Sequence, residues 1–181
     1  MNNFAEIILI EKLRKVTYYS ISINNEEALY DKFLEKHKVE NKEKLYHILA
    51  WIEKLGNKIG AEKFYFRNEA ETSDASALPP SGIDKEPVYV EFDEETGIGV
   101  NQPNNLRLYC LRANDSVVFL FNGDIKTTLK AQDCPNVKPH FKLANKLATL
   151  LNQAFADKEI KWIEDFTDIS VEDDFRLEWD F

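Results

Sequence analysis

Two runs near the middle of the chain, Leu106–Arg112 and Val117–Phe121, carry apolar residues at both odd and even positions. Side chains alternate between the two faces of a strand, so runs of this kind need cover on both sides. They belong at the centre of a sheet. Ala113-Asn114-Asp115-Ser116 has turn composition and would join them. Asn122-Gly123 reads as a second turn, leading into a short strand at Asp124–Thr128. Pro139 suits the first turn of a helix running to about Ala156, with Phe141, Ala144, Leu147, Ala148, Leu151 and Phe155 as its apolar face. Residues 105–155 therefore read as strand, turn, strand, short strand, loop and amphipathic helix.

Upstream, Phe4–Ile10 and Val16–Ile23 lean towards β structure and, joined by the charged EKLRK, suit a hairpin. Asn24 or Asn25 would cap a helix opening at Glu26 and Glu27, with Ala28, Leu29, Phe33 and Leu34 buried. A second helix opens at Asn41 and runs to about Ile59, where Leu45, Ile48, Leu49, Ile52, Leu55 and Ile59 make an apolar stripe. Residues 68–87, rich in Ser, Ala, Asp, Glu, Pro and Gly, read as a flexible insertion, with an ordered binding lid as the alternative. Val88–Phe92 follows as a strand, then two turns at DEETG and NQPNN. The expected organisation is one α+β domain over residues 1–158 and an acidic, aromatic tail over 159–181.

Charge is segregated along the chain. The whole protein carries −9. Residues 101–150 hold seven Lys and Arg against three acids, and residues 159–181 hold nine acids against two bases. Net acidity argues against constitutive nucleic-acid binding, because phosphate neutralisation supplies most of that affinity. The tail's large apolar groups, including Trp162, Phe166, Phe175 and Trp179, favour packing on its own body over disorder. Lying against the basic segment, the tail would neutralise it in cis.

Apolar Ile7–Ile10 precedes the first positive charges, the reverse of a secretory signal, so an early strand and a cytoplasmic location are expected. No apolar run approaches the roughly 18–20 residues of a membrane span, and no membrane partner is expected. Cys110 and Cys134 are too few and too separated for a disulfide framework or a thiolate metal site. His37 and His47 have no second histidine or cysteine one helical turn away. No metal or cofactor is expected.

The cluster on the first central strand is the leading chemical candidate. Arg107 and Tyr109 project from one face about 7 Å apart, with Arg112 beyond them and Lys126 on the strand that follows. Guanidinium and ammonium groups there could hold a phosphate, and a tyrosine could stack on a base or move a proton. His140, between Lys138 and Lys142 at the start of the last helix, could act as a general acid or contact phosphate. Lys130, Lys138 and Lys142 would extend a nucleic-acid surface. Equally, these can be solvated strand and helix residues paired with the chain's many carboxylates.

The order of hairpin, two helices, antiparallel strands and C-terminal helix resembles the RelE/ParE toxin superfamily over about residues 24–155. Asn105–Phe121 resembles that family's arginine-bearing strand and the hydrophobic strand after it, Asn122–Thr128 its lysine strand, and Lys138–Phe155 its final helix. The resemblance implies a RelE-like α+β fold with two N-terminal helices, an antiparallel sheet and a C-terminal helix, here with an acidic extension. It also implies a toxin-like component of a toxin–antitoxin system, either a metal-independent messenger-RNA endonuclease or a degenerate relative of one, or else a gyrase inhibitor. Arg107 would match the strand arginine and Lys126 the lysine strand. An antitoxin protein and RNA or the ribosome would be the partners. The competing reading is a non-catalytic protein–protein interaction module, and the sequence specifies no oligomeric state.

Overall fold

A computed structural model describes residues 2–70, 73–82 and 89–180. Its main sheet has seven strands: β1 (Asn2–Lys12), β2 (Thr17–Ile23), β3 (Arg67–Asn68), β4 (Ser76–Leu78), β7 (Leu106–Arg112), β8 (Val117–Ile125) and β11 (Leu177–Asp180). Their spatial order is β11-β1-β2-β8-β7-β4-β3. The α+β class expected from the sequence holds, with one departure: β2 runs parallel to β8, pairing Thr17 with Val117 and Tyr19 with Phe119. The sheet is mostly antiparallel with a single parallel junction. Two further pairs, β5 (Val90–Phe92) with β6 (Gly99–Asn101) and β9 (Lys161–Ile163) with β10 (Asp168–Ser170), form separate small sheets.

Both faces are covered, as the doubly apolar runs require. Val118, Leu120, Leu106, Leu108 and Cys110 pack under α1 (Leu29–His37) and α2 (Lys42–Lys54), together with Phe33, Leu45, Ile48 and Trp51. The opposite set, Val117, Phe119, Phe121, Tyr109 and Leu111, packs under α3 (Lys138–Ala156). Phe141, Ala144, Leu147, Ala148 and Leu151 of α3 are buried there. Phe155, half-buried, packs edge-on against Phe119 and also stacks on Trp162, with ring centroids 6.3 and 4.7 Å apart. Burying each large apolar side chain contributes about 1.5–3 kcal/mol, so the two cores hold the sheet between its helical layers.

Several local expectations are corrected. The first helix begins at Leu29, because Asn24 and Asn25 take left-handed φ of 51° and 63° and turn the chain out of β2. Asparagine tolerates that region better than most residues. In place of a side-chain cap, the Tyr30 N–H donates to Ser20 Oγ on β2 at 3.1 Å. The second helix opens at Asn41 as expected, but Asn41 bonds His37 rather than capping. After Lys54 the helix loosens into a π-turn, Leu55–Ile59, and stops at Gly60 with φ +94°.

Asn122-Gly123 is not a turn. β8 runs straight through it to Ile125, so no separate strand forms at Asp124–Thr128. A β-bulge at Leu108–Cys110 brings the facing backbones together, and a Cβ on Gly123 would lie 1.7 Å from Arg107 O. Glycine stands there for close approach, not for turning.

Within residues 68–87, Ser76–Leu78 forms β4 and pairs with β7, so this stretch is partly a sheet strand; its residues 71–72 and 83–87 lie outside the described residues. Of the strand expected over Val88–Phe92, Val88 lies outside the described residues and Val90–Phe92 forms β5. The tail supplies β9–β11, and β11 closes the sheet edge along β1. Its ion pairs, among the described residues, run from Glu164 and Asp168 to Lys12 at 2.8 and 3.3 Å, and from Arg176 to Glu6 at 3.0 Å. They join the tail to β1 and not to the basic segment. Among the described residues no helix is long and apolar enough to cross a membrane.

Candidate functional site

The strand cluster is built around a carboxylate the sequence did not single out. Arg107 leaves β7 on the α3 side and is 7% exposed. Its Nε donates to Glu69 Oε1 at 3.1 Å, and its Nη1 donates to the Asn104 and Leu106 carbonyls at 2.6 and 3.2 Å. Lys126, just past β8, donates to the other oxygen of Glu69. The side chains of Arg107, Glu69 and Lys126 are 9%, 4% and 11% exposed. One carboxylate thus holds two cations away from water. Such a triad is stable only while every member is partnered.

Burial lowers the Arg107 pKa, against the raising effect of Glu69. Arg67, on β3, falls to about 10 through burial first and Arg107 second. Its Nε donates to Pro79 O at 2.8 Å.

Tyr109 stands beside the triad, fully buried, its ring 5.6 Å from Phe141. Among the described residues its hydroxyl has no hydrogen-bond partner. Burial drives its pKa far up, so the phenol stays protonated near neutral pH and cannot serve as a general base there. The face that the sequence suggested for phosphate and base is the interior under α3.

The remaining candidates are dispersed. Arg112 closes the far end of β7, about 17 Å along the strand from Arg107 by strand rise. There its Nε donates to Ala61 O at 2.5 Å and its guanidinium pairs with Asp115. His140, half-buried at the start of α3, is lowered by burial and then by Lys36; Asp124 and His37 also act on it. His37 is buried, with Nε2 3.3 Å from Gly123 O and Nδ1 accepting from Asn41 Nδ2 at 2.8 Å. Lys36 pairs with Asp124 at 2.5 Å. This second polar group ties α1 to β8. Lys130, Lys138 and Lys142 are exposed, and with Lys146 the helical lysines recur every four residues along one face of α3.

The structure brings together Arg107, Lys126 and Tyr109, places Arg112 at the far end of β7, and sets His140 in the field of Lys36, Asp124 and His37. The missed members, Glu69 and Arg67, flank a Ser- and Ala-rich stretch in which one acid looks like any other. An arginine on a doubly covered strand does signal that some buried carboxylate must meet it. No protein-family model matches this chain, and no curated protein or solved structure matches it either.

Proposed function

We propose that this chain is a non-catalytic protein-interaction domain. The observation that carries the reading is the closure of its best chemical cluster: Arg107 and Lys126 are neutralised on Glu69 in the interior, and Tyr109 is sealed beneath α3. A phosphoryl-transfer or nuclease site needs cations and a proton carrier open to substrate. Here those groups hold secondary structure together.

The second reading is the toxin-like ribonuclease, or a degenerate relative of one, partnered by an antitoxin. It is supported by the RelE-like order of elements and by the exposed row Lys138, Lys142 and Lys146, with Lys130 nearby. Inducible expression of the full chain in a bacterial host, followed by growth and by the integrity of messenger RNA, separates the two. The interaction domain predicts normal growth and intact messages. Growth arrest with message cleavage, lost in Arg107→Lys while the protein still folds, would establish the ribonuclease.

A further inference from the structure

The β5–β6 hairpin stands outside both cores. Its base is anchored where Tyr89 packs on His47, ring centroids 5.8 Å apart, and where the Gln102 N–H donates to Tyr89 O at 3.2 Å. Beyond that base the two strands pair only with each other among the described residues, through Val90–Asn101, Glu91–Val100 and Phe92–Gly99. Each keeps an open edge of backbone donors and acceptors. Phe92, Ile98 and Val100 are 68%, 62% and 51% exposed. Single exposed apolar residues are ordinary, but three on one short unsupported hairpin are not.

The turn at its tip is built. Asp93 Oδ1 accepts from the Glu95 and Thr96 N–H groups at 2.8 and 3.0 Å, and Gly97, at φ +70°, donates to Asp93 O at 2.8 Å. Those contacts fix the turn with its acids, Asp93, Glu94 and Glu95, at the surface. A groove of about 680 Å³ separates the hairpin from the start of α2, and four carboxylates (Glu40, Glu43, Glu91 and Glu94) line it against two lysines.

We propose that this hairpin is a docking edge for a basic partner strand, one whose lysines or arginines alternate with apolar residues. Main-chain pairing to the open edge would supply affinity. Apolar side chains of the partner would cover Phe92 or Val100, while its cations faced the acids, since directly opposed residues interact most strongly. A second copy is a poor occupant of this edge, because hairpin against hairpin sets acids against acids. The assignment rests on the interaction-domain reading and names the class of partner.

A test uses the full chain and two blocked peptides of equal length, one alternating Lys with Val and one alternating Lys with Gly, followed by fluorescence anisotropy. The Lys-Val peptide should bind about tenfold or more tightly than the Lys-Gly peptide. Phe92→Ser with Val100→Ser should remove that preference, and Glu91→Lys with Glu94→Lys should weaken both peptides. All of these side chains lie at the surface, so the unfolding midpoint should stay that of the parent and a lost preference would not reflect misfolding. Equal binding of the two peptides, or a preference that survives the serine variant, would overturn the proposal. So would a dimer in sedimentation that Phe92→Ser dissociates, because the occupant would then be a second copy. Peptide failure combined with normal growth and intact messages removes this edge alone. Peptide success combined with message cleavage removes the non-catalytic reading alone.

Discussion

Arg107 Nε lies 3.1 Å from Glu69 Oε1, inside the protein, and Lys126 takes the other oxygen of the same carboxylate. The contact joins the loop after β3 to the ends of β7 and β8. It turns three charged residues from a surface feature into a structural clasp, and it has measurable consequences.

Glu69→Ala should be the most damaging single change in the clasp. It leaves Arg107 and Lys126 as unpaired buried cations beside Arg67, a loss of roughly 3–5 kcal/mol. Replacing Glu69, Arg107 and Lys126 together by methionine should cost less than Glu69→Ala alone, since no uncompensated charge remains. Urea unfolding midpoints of the single and triple variants check the order.

Gly123→Ala should destabilise by roughly 1–3 kcal/mol or more, as overpacking against backbone does. The new methyl would meet Arg107 O at 1.7 Å, and the strand pair must shift to admit it. Gly97→Ala on the hairpin tip meets nothing within 4 Å and bears only the strain of its positive φ. Thermal unfolding of both variants should rank Gly123→Ala well below Gly97→Ala.

Acid should weaken the fold through two histidines. His37 and His140 are held below the ordinary histidine range, chiefly by burial. An unfolded histidine takes its proton near pH 6.5, so the unfolded chain binds more protons below that pH and stability falls as pH falls. Asp124 and Asp168 are held low, so their contributions are complete above the ordinary carboxylate range and are lost as the pH falls through it and below. The loss between about pH 6.5 and 5 should therefore belong to the histidines, and His37→Gln should flatten it. Stability measured across that interval in both proteins decides the point.

Removing residues 159–181 should lower the unfolding temperature by at least roughly 10 °C. The cut takes Ile160, Ile169 and Leu177 out of the core and bares the β1 edge from Asn2 to Ala5. An open edge strand invites intermolecular pairing, so light scattering should rise with the cut. Calorimetry alongside scattering tests both effects.

The central strands and α3 were legible in the sequence because burial on two faces and a 3.6-residue stripe are strong, redundant patterns. Asn122-Gly123 misled because glycine serves tight turns and close backbone approach alike, and only the bulge opposite, at Leu108–Cys110, tells them apart. The parallel junction of β2 with β8 is a long-range pairing that no local pattern encodes. Arg107, Tyr109 and Lys126 do lie together, whereas Arg112, grouped with them in the sequence, stands at the far end of β7, and the burial of the three was not legible. It depends on α3 and Glu69, elements distant in sequence that close over them.

Arginine footprinting reads the burial of the Arg107 guanidinium in solution. Phenylglyoxal applied to the folded full chain, with the modified peptides mapped by mass spectrometry, reads which guanidinium groups meet solvent. Arg14 and Arg176 are exposed and should react readily, while Arg107 should stay protected until the protein is unfolded in urea. Arg107 reacting in the folded protein as fast as Arg14 would mean that the clasp is open to substrate, and would contradict the account.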